Sequence, residues 1–275
     1  MSNGICLVAQ NNTKTDYVRQ AYALALSVLA NNPDTNISLI TNDDVCKKYT
    51  SVFDKIIPIP WGDLSSENEW KIDNRWKVYH VTPYKNTIVM DVDMLVLDSI
   101  NIMWQDIKTP PSLLFTKNVK TYRNATVTSR YYRRAFDDNN LPDAYSGVYQ
   151  FSKCNQTRTF FVLLDVIMQN WQTFYNKFAP NSKQNWCSVD LSVAIALKIL
   201  DMQGYCLDKS RLTFTHMKPQ LQNLYNPPIK WMDALPVEFG DNGIYINGYK
   251  QSGILHYVED EFLTDNMLAW LEEKV

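Results

Sequence analysis

Cysteine is sparse and unpatterned in this chain of 275 residues. The five cysteines are widely scattered, and no two of them have CxxC spacing. We therefore expect neither a zinc site nor a disulfide framework, and we predict a reduced compartment. The sequence also lacks an apolar run of about 18 residues, the minimum for a membrane-spanning helix, and its first residues do not resemble a signal peptide. These absences predict a cytoplasmic protein.

Neither sign of charge dominates, because 27 Lys and Arg residues face 29 Asp and Glu residues. Without a global positive field, a nucleic acid or an anionic membrane is not an expected partner. Hydrophobic residues make up 45% of the chain and charged residues 20%, which is typical of a folded protein rather than a disordered one. No repeat or low-complexity linker divides the sequence, so we predict one domain over residues 1–275.

Apolar strands alternate with helical patterns through the first half of the chain. The predicted strands are Ile5–Ala9, Ile37–Ile40, Lys55–Ile59 and Thr87–Leu97, with helices after Asp16 and over Trp70–Val81. Asp16 is the predicted N-cap of the first helix, and Asn31–Asp34 should end it. Later strands are predicted at Ser112–Phe115, Gly147–Phe151 and Gly253–Tyr257, and later helices at Phe160–Met168, Leu191–Leu200 and Phe262–Leu271. This order predicts an α/β fold with a mostly parallel central sheet flanked by helices. Ligands of such sheets bind at the carboxyl ends of the strands.

Two carboxylates, Asp91 and Asp93, interrupt the otherwise apolar run from Thr87 to Leu97. In a continuous strand they would point to the same face, because side chains alternate with a period of two. Burying an unpaired carboxylate is costly, so such a pair persists where a cation satisfies it. Oxygen ligands of this kind suit Mg²⁺ or Mn²⁺. The alternative is a strand-end turn with solvated carboxylates.

Two further residues have both a structural and a functional interpretation. His256 lies in an apolar strand, where a histidine bound to the backbone is common, yet this strand could return to the Asp pair and supply a third metal ligand. Asp190 could cap the helix that follows it, or point into the same cleft as the catalytic carboxylate. Both interpretations remain open for each residue at this point.

Basic residues pose a similar choice. The stretch from Lys120 to Asp143 is rich in Arg and Tyr, and is either a solvated loop or a surface for phosphate and sugar rings. Arg75 lies on the predicted helix before the Asp pair. It is either exposed there or is buried, where it orients the Asp pair or binds a donor phosphate.

Taken together, these segments resemble the GT-A-fold glycosyltransferases, most nearly the family-8-type retaining galactosyltransferase and glycogenin group. Asp91-Val92-Asp93 resembles the metal-binding DxD motif of that family, and Ile254–Tyr257 resembles its late strand with the third metal ligand. The other similar segments are Ile5–Asn12 with Tyr17 and Ala25–Val28, Asn32–Ile37, Arg75–Val78 and Tyr145–Val148.

The resemblance implies a hexosyltransferase that uses a nucleotide-diphosphate sugar, UDP-linked in our expectation, and a hydroxyl acceptor on a glycan, lipid or protein. The nucleotide-binding half would span about residues 1–110 and the acceptor-side half about 111–275. It implies Mn²⁺ or Mg²⁺ held by Asp91, Asp93 and His256, and a catalytic role for Asp190. The donor-binding residues implied are Ala9, Asn11, Tyr17, Arg75 and Val92.

One motif of the family is missing. Its late histidine is usually followed by Gly-x-x-Lys-Pro-Trp, whose lysine contacts the diphosphate, whereas Val258–Glu261 stands here. Lys250, or one of Arg130, Arg133 and Arg134, would have to supply that charge.

An Asp-x-Asp motif also occurs in other classes of protein, which leaves three alternative functions. A HAD-type phosphohydrolase would need the Asp pair directly after the first strand, where this chain has none. A nucleotidyltransferase would normally have a glycine-rich loop there, and Gln10–Thr13 contains no glycine. A non-catalytic sugar-binding protein of the same fold is the third alternative.

Overall fold

The computed structural model describes residues 2–65, 71–107, 112–117, 119–130, 133–204, 212–224 and 230–275. Within these residues, six strands form the largest sheet, in the order β3-β2-β1-β4-β8-β6. Its strands are β1 (Asn3–Val8), β2 (Ile37–Ile40), β3 (Lys55–Ile57), β4 (Asn86–Met90), β6 (Leu113–Thr116) and β8 (Tyr145–Ser152). Strands β1 to β4 pair in parallel, and β8 runs antiparallel to both β4 and β6. The mostly parallel sheet predicted from the sequence is therefore confirmed, with β3 at its edge.

Two smaller sheets complete the described strands. The four-stranded sheet has the order β5-β13-β9-β7 and comprises β5 (Met94–Val96), β7 (Val119–Lys120), β9 (Phe214–His216) and β13 (Ile254–His256). The three-stranded antiparallel sheet contains β10 (Val237–Gly240), β11 (Gly243–Ile246) and β12 (Tyr249–Lys250). The sequence patterns did not predict β7, β9 or the three-stranded sheet, because these strands are too short to show a clear alternation.

Helices cover both faces of the six-stranded sheet. On β1, Ile5 and Leu7 pack with α1 on one face, while Cys6 joins the cluster formed by α6 and α8 on the other. The helices are α1 (Tyr17–Asn31), α2 (Lys47–Thr50), α3 (Val78–Val81), α4 (Asn101–Asp106), α5 (Arg134–Asp137), α6 (Asn155–Gln169), α7 (Trp171–Phe178), α8 (Val189–Ile199), α9 (Trp231–Ala234) and α10 (Asp265–Glu272). Among the described residues, no helix has the length and apolarity that a membrane crossing needs.

Helix α1 follows its sequence signals closely. The side chain of Asp16 accepts a hydrogen bond from the backbone N–H of Arg19 at 2.9 Å, which satisfies one of the free donors of the first turn. The helix ends at Asn31, where the N–H of Asn32 still bonds to the carbonyl of Val28. The predicted cap and the predicted end of this helix are both confirmed.

The predicted helix from Trp70 to Val81 is wrong in extent. A short 3-10 turn (Arg75–Lys77) leads into α3, and Trp70 lies outside the described residues. Before that turn, the Asn74 amide donates to Gln10 Oε1 at 2.8 Å and to Asp63 Oδ1 at 2.6 Å. These bonds fix the chain to two neighbouring loops, so side-chain bonding replaces a longer helix.

The predicted continuous strand from Thr87 to Leu97 is also wrong. The chain leaves the six-stranded sheet after Met90 and enters the four-stranded sheet at Met94. At the end of β4, the N–H of Asp91 donates to the carbonyl of Gly147 at 2.8 Å. The carbonyl of Asp93 then accepts from the N–H of Tyr257 at 3.1 Å, beyond the end of β13. Asp91 and Asp93 therefore lie in the connection between two sheets.

Gly253 gives a test of the close approach between β13 and the chain before β9. It has φ +68°, and a Cβ at this position would lie 2.1 Å from the carbonyl oxygen of Thr213. Gly248 has φ +78° but has no atom within 4 Å of its Cβ position. We expect G248A to lower the free energy of unfolding by about 1 kcal/mol through backbone strain alone. G253A adds a backbone clash and should cost about 3 kcal/mol in total. Urea unfolding of both variants measures the difference, and equal losses would show that the Thr213 contact relaxes.

Candidate functional site

A cleft of about 500 Å³ opens at the carboxyl ends of β1 and β4. Its wall includes the connection between the two larger sheets, the start of α1, the 3-10 turn at Arg75 and the start of α8. Its size lies within the range of ligand pockets, roughly 300–1,000 Å³. The sequence predicted a ligand site at this edge of the sheet, and the predicted metal ligands lie here.

Three side chains converge in this cleft from separate elements. Asp91 follows β4, Asp93 precedes β5, and His256 ends β13, with ligand atoms that all lie within 4.8 Å of one another. His256 Nε2 lies 2.9 Å from Asp93 Oδ2. This pair forms because β13 and β5 are antiparallel neighbours, with His256 opposite Met94. The Asp pair does lie at the end of a strand, but its carboxylates are half-buried and paired with Arg75 and His256 rather than solvated.

Neighbouring residues hold Asp91 in place. The guanidinium Nη1 of Arg75 forms an ion pair with Asp91 Oδ1, so Arg75 faces the cluster rather than an exposed helix surface. On the other side, a Cβ at Gly147 would lie 3.1 Å from Asp91 Oδ2 and 3.0 Å from Met94 Cε. Only glycine leaves Asp91 this much space beside β8.

The cluster perturbs the protonation of its members. Burial raises the pKa of Asp91 to about 6, and the Asp93 carboxylate adds to this, while Arg75 opposes it. Burial also opposes the ionisation of Asp93, but His256 and Arg75 outweigh it and hold the pKa of Asp93 below its ordinary value. For His256, burial favours the neutral ring, yet Asp93 raises its pKa above the ordinary value. Positive charge from His256 and Arg75 thus compensates the two carboxylates.

The residues present fit a divalent cation. Two carboxylates and an imidazole are ligands that Mn²⁺ and Mg²⁺ accept, and one ligand atom from each of the three residues lies within 4.8 Å of the other two. The Nδ1 atom of His256 is buried and has no hydrogen-bond partner among the described atoms. Binding of a cation would compete with protonation of His256, because a metal-bound imidazole is the neutral form.

A second histidine, which the sequence did not single out, lies against the first. The His216 ring stacks on His256 with centroids 4.3 Å apart and an angle of 26°, because β9 and β13 pair these residues in register. Burial, and then the neighbouring His256, lower the pKa of His216 well below its ordinary value. Its Nδ1 accepts from the backbone N–H of Lys218 at 3.4 Å. Recognition of the short strand Phe214–His216 would have been the signal for this pair.

Asp190 lies in the first turn of α8 and does not cap it. The cap is Ser188, whose side chain accepts from the N–H of Leu191 at 3.4 Å. The carboxylate of Asp190 instead accepts from the N–H and the hydroxyl of Ser146, at 2.8 and 2.6 Å, and from Arg133 Nη1 at 2.7 Å. The capping interpretation is wrong, and Asp190 belongs to the wall of the cleft.

The residues predicted for donor binding divide into two groups. Tyr17, Arg75 and Val92 line the cleft. Ala9 is buried, with its N–H bonded to the carbonyl of Ile40, and Asn11 supports the start of α1 by accepting from the N–H of Val18 at 3.0 Å. Neither is among the residues that line the cleft, and their nucleoside contacts stay a prediction. Gln10, which the sequence did not single out, lines it.

Much of the described part of the Arg-rich stretch is exposed, as the solvated-loop interpretation expects, but Arg133 is an exception. Arg133 is buried and forms ion pairs with Asp143 and Asp190, and Arg130 pairs with Asp137 and Asp143. The tyrosines of this stretch, Tyr131 and Tyr132, lie outside the described residues.

The candidates for a diphosphate-binding charge are placed differently from the prediction. Lys250 is exposed on β12 and does not line the cleft, and Arg134 is exposed at the start of α5. Lys218, a residue that the sequence did not single out, lines the cleft. Burial lowers the pKa of Lys218, an effect that Asp190 opposes. Met217 separates Lys218 from His216, the last residue of β9, so the same unpredicted strand positions both residues.

The fold is similar to that of solved glycosyltransferases. No family model and no curated protein matches the chain. The galactosyltransferase LgtC, solved with donor and acceptor sugar analogues, has a TM-score of 0.55 and 14% sequence identity, over 99% of this chain and 94% of LgtC. The bifunctional glycosyltransferase WbbM has a TM-score of 0.53 and 11% identity, over 99% of this chain and 49% of WbbM.

The glycosyltransferase GlyE of Streptococcus pneumoniae TIGR4 has a TM-score of 0.49 and 12% identity, over 100% of this chain and 61% of GlyE. This chain therefore spans only part of the length of WbbM and GlyE. The similarity to LgtC extends over nearly all of both chains and confirms the expected α/β fold of the GT-A type. The function of the cleft has to be argued from its own residues.

Removal of a ligand gives a direct test of the metal site. We expect D93N and H256A each to weaken Mn²⁺ binding at least tenfold (roughly 1.4 kcal/mol or more) because each removes one of three converging donors. H80A is the control, since His80 makes edge-to-face contacts with Trp61 and Trp76 and does not line the cleft. Titration of free Mn²⁺ by electron paramagnetic resonance measures the affinity. Unchanged binding by H256A would return His256 to the role of a core histidine.

Proposed function

We propose that the protein is a metal-dependent glycosyltransferase that moves a hexose from a UDP-linked sugar to an acceptor hydroxyl. The observation that carries this proposal is the cluster of Asp91, Asp93 and His256, in a cleft at the carboxyl ends of the strands of a GT-A-type sheet. A site of this charge and size suits a diphosphate bound through a divalent cation.

The arrangement of the cleft suggests how the donor would lie. Tyr17 and Gln10 would contact the nucleoside, because they stand at the end of β1 and the start of α1. The diphosphate would lie at the Asp91–Asp93–His256 cluster, and the sugar would face Asp190. Trp186 also lines the cleft and is 56% exposed, which leaves its ring accessible for stacking on a sugar.

The reaction replaces the bond between the anomeric carbon and the diphosphate with a bond to the acceptor oxygen, whose proton is released along with the nucleoside diphosphate. Negative charge develops on this leaving group. A divalent cation bound at the cluster would supply charge stabilisation for that leaving group. The chain contributes Arg75, which fixes Asp91, and Lys218, which lines the same cleft. Both act without moving a proton.

Asp190 is better suited to orient a hydroxyl than to remove a proton. Its carboxylate already accepts three hydrogen bonds, from the two donors of Ser146 and from Arg133. A carboxylate has about four lone-pair sites, and these three bonds leave roughly one of them free to contact a hydroxyl. We therefore assign Asp190 to orienting a hydroxyl of the donor sugar rather than to general-base catalysis.

One observation favours a non-catalytic alternative. Asp260 lines the cleft, in the segment where the resembling family has its lysine motif, and adds negative charge to the donor site. It is held by Thr15 Oγ1 and by Gln20 Nε2, the latter at 2.7 Å. A protein that binds a nucleotide sugar without transferring it would tolerate such a change.

A screen of nucleotide sugars for slow hydrolysis tests the proposed activity. We expect one donor to release its nucleoside diphosphate only when Mn²⁺ is present, and D93N to reduce that release at least 100-fold (roughly 2.7 kcal/mol) because the leaving group loses its charge stabilisation. Wild-type activity in D93N would contradict the metal-dependent mechanism. Nucleotide binding without turnover by the wild-type protein, in the presence of candidate acceptors, would favour the non-catalytic alternative.

The role of Lys218 can be tested by comparing ligands that differ in charge. We expect K218M to weaken UDP binding about tenfold and uridine binding less than twofold, because a charge-assisted contact forms only with phosphate. K218R should retain most of the affinity for UDP. K250M is the matched control, since Lys250 does not line the cleft. Calorimetry gives the affinity of each variant and of the wild-type protein for UDP and for uridine. Equal losses of the two affinities in K218M would show that Lys218 supports the structure only.

A further inference from the structure

Arg133 occupies an unusual position for an arginine, since only 1% of its side chain is exposed. Its Nε donates to Asp143 Oδ1 at 2.6 Å, its Nη1 to Asp190 Oδ2 at 2.7 Å, and its Nη2 to the carbonyl of Ala144 at 2.7 Å. The guanidinium plane also lies between two aromatic rings, 3.6 Å from the centroid of Phe136 and 4.1 Å from that of Tyr145. Every side of the group is therefore in contact.

This arrangement fixes Asp190 from two directions. Ser146 on β8 donates twice to Asp190 Oδ1, and Arg133 donates to Oδ2. Asp143, which anchors Arg133, is itself bound by Arg130 Nη1 at 2.6 Å. Neither contact is needed to begin α8, because Ser188 already caps it. Both oxygens of Asp190 are thus held in one orientation at the wall of the cleft.

Stability alone is a weak explanation for a buried ion pair at this position. Desolvation of buried charges often cancels their attraction, so apolar side chains can replace such pairs without loss of stability. The planar guanidinium, by contrast, can aim a carboxylate, because its donors have fixed directions. Asp190 lines the cleft, and every donor group of Arg133 is fixed. Together these observations indicate that Arg133 orients the carboxylate of Asp190.

We propose that Arg133 is the positioning residue for Asp190: it orients the carboxylate toward the donor sugar and does not itself contact the reacting atoms. This inference rests on the proposed function for the identity of the ligand. Arg133 acts only through Asp190, so its contribution to sugar recognition and to turnover should disappear when Asp190 can no longer accept the same bonds.

A double-mutant cycle tests this coupling, with R133K, D190N and the double variant. R133K retains the charge but loses the three-way planar contact. We expect it to lower kcat about tenfold, to leave the affinity for UDP within twofold, and to reduce the extra affinity for the UDP-sugar over UDP. In the D190N background, the same R133K change should alter these quantities less than twofold. Additive losses in the cycle would overturn the proposal.

A second pair of variants covers the case in which R133K does not fold. D143N loosens Arg133 from outside the lining of the cleft and should weaken sugar recognition in the same way, again without effect in D190N. D137N removes a partner of Arg130 and should leave both kcat and affinity unchanged. The binding cycle needs no turnover. A wild-type protein that binds donor without transfer would therefore contradict the proposed function, while the cycle in affinity still decides whether Arg133 acts through Asp190.

Discussion

Repulsion between the carboxylates of Asp91 and Asp93 is the constraint around which the cleft is arranged. The two groups lie on one short connection between two sheets, and burial makes their charge costly. Arg75 pairs with Asp91 and His256 with Asp93, so each carboxylate has a cationic partner from a different element. The six-stranded sheet, the four-stranded sheet and the 3-10 turn therefore meet at one point because each contributes a charge to it.

The sequence predicted the parts of the fold that local patterns determine. The strands on either side of α1 and the mostly parallel sheet follow from the periodicity of the apolar residues. The start of α1 follows from a single hydrogen bond to the side chain of Asp16. The extent of the helix before α3 was wrong because Asn74 bonds to Gln10 and Asp63, which no local pattern reveals. The run around Asp91 looked like one strand because its apolar residues are continuous, although two different sheets share them.

The residues of the candidate site also differ in whether a local sequence pattern reveals them. Asp91 and Asp93 could be selected because a carboxylate pair in an apolar run is unusual, and His256 because it lies in an apolar strand. Lys218 and His216 were missed, since both depend on a three-residue strand whose place is set by its pairing with β13. Arg133 was assigned to a solvated loop or a phosphate-binding surface because the stretch around it is polar and rich in arginine. Its burial could not be predicted locally, because one of its partners, Asp190, lies 57 residues further along the chain.

The pairing of β5 with β13 has a consequence for how the chain folds. Asp93 and His256 are separated by 163 residues, and β13 is the central partner that joins β5 to β9. Closing so long a loop loses entropy before any contact is gained, and contacts of this range slow folding. We therefore expect the four-stranded sheet to form late in folding. A ligand that bridges Asp93 and His256 would act as a reversible cross-link. It would stabilise the folded chain against separation of β5 from β13.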